Sequence, residues 1–348
     1  MKNSVFSGFG VAVAVLGMTS LMPIAFAGQE QAPVEQPQDQ PASEAASAQP
    51  SVQTDATDEA GTDTQEATTT DLSKFSNAVE TSEISVEYDL LIGFMNSYTA
   101  IDKNRVKFDY QTIRTSGARP LVHSLQAMRD VEVSRLSKTD QLAYWLNLRN
   151  QLVIFAVTLE NATNLADERG TFDEPGEMWT EKRIIVDGVN LSIDDIERGI
   201  ILANWPNFPN IFYGLYQGVE DGPALFKPGF RGDTVHDVLA KLGKRYVNQK
   251  KVITAKGNTV NVPGVYGWYG DVLFEGDEAK LIKHFKRHAG EKLRGRLNDV
   301  ETISLSEIGY AIDTTTTVKR KRKRRPAPTG SPSIGTPGGG STRGGSGS

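Results

Sequence analysis

Apolar residues fall at helical spacing over several stretches between residues 84 and 297, and short β-branched runs bounded by turn residues separate them. The spacing predicts a helix over 84–101 with Val86, Leu90, Leu91, Phe94 and Tyr98 on one side. A short strand over 105–108 and a helix over 120–129 follow. Ser137 with Asp140 forms a capping box and opens a long helix to about Glu160, with a stripe of Leu142, Trp145, Leu146, Leu152, Val153, Ala156 and Leu159. Residues 183–187 and 189–191 flank an Asp-Gly turn, the signature of a hairpin. Ser192 with Asp195 opens a further helix; residues 211–216 are a strand candidate and 234–248 a helix. A second hairpin turns at Gly257-Asn258 between 251–254 and 259–262, and a basic helix covers 278–297. Strands joined by short turns rather than long crossovers imply an α+β fold: a single compact domain over residues 76–317, helices packed on a small, mainly antiparallel sheet.

Within the long helix, residues 139–152 read TDQLAYWLNLRNQL. Asn147 and Asn150 sit three apart in an otherwise apolar pattern, beside Tyr144, Trp145 and Arg149. Buried amides must find partners or cost stability. This helix is therefore either a polar network inside the core or one wall of a binding site.

The ends of the chain change the picture. Lys2, the apolar run 11–21, Pro23 and the Ala25-Phe26-Ala27 triplet before Gly28 have the form of a secretory signal over residues 1–27, cleaved after Ala27. The alternative is an uncleaved N-terminal membrane anchor, since residues 5–27 are long enough to span a bilayer. Residues 28–75 form a low-complexity segment, with ten acids and no Lys or Arg between 28 and 72; it reads as a disordered acidic linker. Residues 318–348 begin with Lys319, Arg320, Lys321, Arg322, Lys323, Arg324 and Arg325 and continue as a Pro/Gly/Ser-rich tail, also read as disordered. The formal net charge of −5 thus conceals an acidic arm and a basic arm on opposite ends. The chain has no cysteine, which excludes disulfides, thiol nucleophiles and thiolate metal sites. An exported domain without disulfides needs a sizeable hydrophobic core. Periplasmic or secreted placement follows as the expectation.

Candidate chemistry is sparse. His284 and His288 stand four apart, a spacing that suits two metal ligands, but Lys283, Lys286 and Arg287 surround them, and a solvated basic face is the preferred reading. His123 and His236 are isolated. Neither a G-x-S-x-G elbow nor a G-x-x-x-x-G-K-S/T loop occurs in the core, and residues 270–277 lack calcium-loop spacing. No metal and no cofactor is expected. Asp194, Asp195 and Glu197 lie in a first helical turn, where acids favour the helix dipole. Asp271 follows Tyr266, Trp268 and Tyr269 in VYGWYGDVLF; it is either a desolvated acid/base group or a turn cap. Behind a signal peptide, the basic run fits anionic lipid headgroups, lipopolysaccharide or an acidic polymer, or is simply a solvated tail. Without interleaved aromatics it does not suit specific nucleic-acid recognition.

Four segments in order resemble one family. YWLNLRNQLVI (144–154) is similar to the W-x-N-x-Y-N-A-L signature of the domain of unknown function 547 family, KFDYQTI (107–113) to its V-D-Y segment, LSIDDIERGII (191–201) to L-S-L-x-x-I-E-H-x-I-L, and VYGWYGDVLF (265–274) to its W-Y-x-x-D-F ending. The departures matter. Where the family pattern has D-P-R-x-H-F-A-L and then a cysteine before proline, this chain has Phe208, Asn210 and Phe212 for Asp, Arg and His, and Gly222 for Cys; Arg149 and Arg198 also replace usual residues. The resemblance implies a compact α+β domain without an assigned reaction. If the family's His and Cys do nucleophilic chemistry, this chain has lost both.

The resulting expectation is a non-catalytic binding module of the bacterial envelope, engaging an unknown envelope protein or anionic polymer, with peripheral membrane contact through the tail. Its binding residues would be Asn147, Arg149, Asn150, Trp268 and Tyr269. The alternative is a cell-envelope hydrolase or transferase using Glu197 or Asp271 as acid/base. A third reading has the asparagines and Glu197 satisfying one another inside the core.

Overall fold

The long helix, Lys138–Leu159, is the axis on which the domain is built. Asp140 N–H bonds Ser137 Oγ at 3.3 Å, and Ser137 Oγ in turn donates to Asp140 Oδ2 at 2.8 Å, so the expected capping pair forms. Every residue from 141 to 154 is buried. A helix covered on all sides has no polar face to reveal its orientation, so the stripe read from the sequence is too narrow at one end and misplaced at the other: Leu159 is exposed. In the computed structural model, the described residues are 70–102, 105–159, 165–250 and 252–315. The proposed signal peptide and most of both arms, including Lys319–Arg325, lie outside them.

Helices Ala118–Arg129 and Val235–Val247 and the wide π-helical turn Asp195–Leu202 pack on this axis, and Asp89–Tyr98 packs on Ala118–Arg129. Among the described residues, three small sheets sit around the helices. β1 (Thr99–Asp102) pairs antiparallel with β2 (Arg105–Phe108), and β3 (Ile184–Val186) with β4 (Val189–Leu191). β5 (Thr254–Lys256) pairs antiparallel with β6 (Thr259–Val262), which pairs parallel with β7 (Thr302–Leu305). The fold is α+β, but its strands form three patches rather than one sheet. In the β3–β4 turn both Asp187 (φ 48°) and Gly188 (φ 79°) are left-handed, as a two-residue turn matching strand twist requires. Among the described residues no helix is long and apolar enough to cross a membrane.

Three elements and one boundary depart from expectation. The helix read over 84–101 is shorter: Thr99 turns extended and continues as β1, leaving Leu90 and Ile101 exposed. Residues 211–216 are not a strand. Pro209 starts a 3-10 helix, Pro209–Gly214, and a short run of consecutive buried residues (Ile211, Phe212, Tyr213) carries no period that distinguishes the two. The basic helix read over 278–297 breaks into Glu278–His288 and Glu291–Leu297, because Ala289 is extended. Asn248 stitches the break, donating to His288 O at 2.9 Å and accepting from Gly290 N–H at 2.7 Å. The fold also begins earlier than the linker boundary suggests: Phe75 is buried edge-on against Trp145.

The last described residues close the domain. Ile312 bridges Val219 and Thr314 bridges Phe108. Asp313, fully buried, accepts from Arg105 Nε at 2.7 Å. Burial pushes its carboxyl up to about 6 against the opposing pull of Arg105 and Lys107.

Candidate functional site

Asn147 and Asn150 face different loops, and each clamps backbone. Asn147 Nδ2 donates to Phe230 O at 2.9 Å and its Oδ1 accepts Phe230 N–H at 2.8 Å. Asn150 Nδ2 donates to Gly214 O at 2.8 Å, and its Oδ1 accepts from Tyr216 N–H and Arg149 Nη1, both at 3.1 Å. An amide offers one donor and one acceptor side by side, so it can satisfy a backbone C=O and a nearby backbone N–H at once. Both asparagines therefore tie irregular segments 208–233 to the central helix. They do not pair with each other or with Glu197, as the structural reading supposed.

Arg149, between them, is wholly buried and reaches the π-helical turn. Its Nε donates to Glu197 Oε2 at 2.9 Å, and its Nη2 bonds the same oxygen. Nη1 also bonds Tyr216 O. Tyr269 hydroxyl donates to Glu197 Oε1 at 2.6 Å and accepts from Gln217 Nε2 at 2.6 Å. Burial pushes the Glu197 carboxyl up, but Arg149, Arg169 and the Tyr269 hydrogen bond outweigh it, and the net direction is down. Glu197 is thus a buried, ionised partner, and the helix dipole is not what accounts for it. Its first-turn neighbours do have local roles: Asp195 completes the capping pair with Ser192, and Asp194 pairs with Arg198.

Sequence reasoning missed the next layer. Arg169 is 1% exposed and lies between two indoles, 4.2 Å from the ring centre of Trp179 and 4.3 Å from that of Trp268. Its Nη1 donates to Thr171 O at 3.3 Å, while Nε and Nη2 have no hydrogen-bond partner among the described residues. Trp179 Nε1 and Gln217 Oε1 are likewise unpaired there. Burial lowers the Arg169 pKa, and Glu197 opposes that. No pattern marked Arg169, because it ends the four-residue helix Ala166–Arg169, which is too short to show a period.

The other candidates do not join this cluster. Asp271 is exposed at the start of the short helix Gly270–Phe274, so of its two readings the desolvated carboxylate is not formed. His284 and His288 are buried, not part of a solvated face. The Tyr266 hydroxyl donates to that of Tyr213 at 3.3 Å, and Tyr213 hydroxyl lies 2.8 Å from His284 Nε2. His288 Nε2 lies 2.9 Å from Asn210 Oδ1. Their rings close the space between helices Val235–Val247 and Glu278–His288. Among the described residues no group of His, Cys, Asp and Glu could hold a metal ion. His123 and His236 are exposed, the latter against the Phe208 ring. An open polar cleft of about 120 Å³ lies elsewhere, lined by Arg105, Glu220, Asp221, Tyr246, Gln249 and Asn261 among others.

Phe212 and Gly222, two of the departures read from the sequence, border the buried cluster. The Phe212 ring stacks on Tyr266 at 4.3 Å and lies 5.4 Å from Tyr269. A Cβ on Gly222 would stand 3.0 Å from Gln217 Cβ. The model of the family described as "Protein of unknown function, DUF547" matches residues 133–247, which contain both asparagines, Arg149, Arg169, Glu197, Phe212 and Gly222. No curated protein and no solved structure matches the chain.

Proposed function

We propose that this chain is an exported envelope protein whose folded part is a non-catalytic binding module. One observation carries the reading. Glu197, the carboxylate best placed for chemistry, is 1% exposed with both oxygens engaged by Arg149 and Tyr269. A general acid or base must reach its substrate proton directly or through one water. Glu197 is closed off from both, and the positions beside Tyr269 and Gln217 where the resembled pattern has His and Cys hold Phe212 and Gly222, which can neither move protons nor attack a carbonyl. Asp271, the other carboxylate candidate, has solvent access but no assembled partners. Trp268, packed on Arg169, is 9% exposed.

In this reading the seven cations Lys319–Arg325 engage an anionic surface by counterion release, and the domain presents the specific contact. The test is co-sedimentation of the mature chain with vesicles with and without an anionic lipid, and with cell-wall polymer, against a version ending at Val318. Salt-sensitive binding lost on truncation, with no breakdown of the polymer, is the expected result. Turnover of envelope material that Asp271→Asn abolishes in a folded protein would overturn the non-catalytic reading.

A further inference from the structure

We propose that Arg169 is the anchor of a buried site for a two-oxygen anionic group, a carboxylate or a phosphate. The Nε and Nη2 of an arginine lie on one edge of its guanidinium and match two adjacent oxygens. The same molecule holds both states of this edge. Arg149 spends its Nε and Nη2 on the Glu197 carboxylate. Arg169, equally buried, offers Nε and Nη2 to no described residue. The indoles of Trp179 and Trp268 sandwich the guanidinium, so its edge is held in one orientation rather than free to collapse onto a neighbour.

Charge points the same way. Arg149, Arg169 and Glu197 leave this buried cluster with one positive charge in excess, and a buried uncompensated cation is destabilising. An anion cancels that excess, and water does not. The unpaired Trp179 Nε1 adds a donor beside the same guanidinium. The outer wall is Trp268, 9% exposed and packed on Tyr310, so a small anion or a terminal carboxylate enters when that indole moves. This inference rests on the Arg169 edge and does not depend on the tail or on the absence of catalysis.

Two of the chain's four tryptophans flank Arg169, so indole emission reports on the site. The full chain, dialysed free of carboxylate and phosphate buffers, is titrated with sodium acetate and with inorganic phosphate at constant ionic strength, sodium chloride being the control. A saturable emission change with acetate, phosphate or both, and none with chloride, is expected; which oxyanion acts identifies the source. Arg169→Lys keeps the charge but loses the edge, and should weaken the affinity at least about tenfold, the loss of one charge-assisted hydrogen bond. Arg169→Met should abolish the response while near-ultraviolet dichroism stays native. The proposal fails if the unmodified chain gives no saturable change with either oxyanion, a result that needs no variant to fold, or if folded Arg169→Met responds as the original does.

Discussion

His284 should make this protein sensitive to mild acid. Its ring is buried, it meets the Tyr213 hydroxyl at 2.8 Å, and His288 and Arg287 crowd it with positive charge. Burial first, and then those neighbours, lower its pKa from the ordinary 6.5 to about 3. The sign follows from which state takes the proton. Between these values the unfolded chain binds a proton that the folded chain refuses, so His284's contribution is complete above about pH 6.5 and is lost as pH falls toward 3. At pH 5 the unfolded ring is almost wholly charged and the folded ring is not, a difference of about 2 kcal/mol. His288, also lowered by burial and Arg287, acts in the same direction. The assay is urea unfolding at several pH values between 7.5 and 5, comparing the original with His284→Gln, which keeps a hydrogen-bonding tip but does not titrate. The original should lose about 2 kcal/mol more than the variant across that window. Parallel pH dependences would refute the reasoning, because they would mean that the buried ring is protonated as readily as an exposed one.

Removing one partner of the Arg149–Glu197 pair, by Glu197→Gln or Arg149→Met, should cost about 3–5 kcal/mol, read as a fall in Tm on the order of 10 °C. The double substitution should lose less than the two single losses combined, and full additivity in a double-mutant cycle would deny the coupling. Asn147→Ala strips the hydrogen bonds from Phe230 N–H and C=O and should cost about 2–4 kcal/mol by denaturant unfolding, whereas a loss below about 0.5 kcal/mol would mean that water replaces the clamp. Asp271→Asn, at an exposed position, should change stability by no more than about 0.5 kcal/mol in the same assay.

The sequence revealed elements whose cause is local. The capping pairs at Ser137 and Ser192 and the Asp187-Gly188 turn are where their residue types require them, since cap and turn chemistry acts over three or four residues. What failed depends on distant partners. Ile211 to Tyr213 could be strand or helix until Tyr266, Tyr246 and Glu278–His288 cover them, and the break at Ala289 is fixed by Asn248, far along the chain. The site divides in the same way. The amides of Asn147 and Asn150 announced that polar partners must exist, but not that those partners are backbone groups. Glu197 looked like a dipole-favouring acid because its true partner, Arg149, is on another helix. Arg169 was invisible because two tryptophans from separate segments define its role.

Arg105 and Asp313 meet across 208 residues, and Thr315 N–H bonds Phe108 O at 2.7 Å. The carbonyl that β2 turns outward therefore waits for residues made long afterwards. Such distant closures place their entropy cost late in folding. For a chain emerging from a ribosome, or threaded through an export channel, this sets an order of events. The helices and hairpins that pack around Lys138–Leu159 can meet before then, but Arg105 and Phe108 gain these partners only once residue 315 is free, so this closure comes near the end of the passage. Timing is thus written into the connectivity itself, with the final described residues acting as the latch.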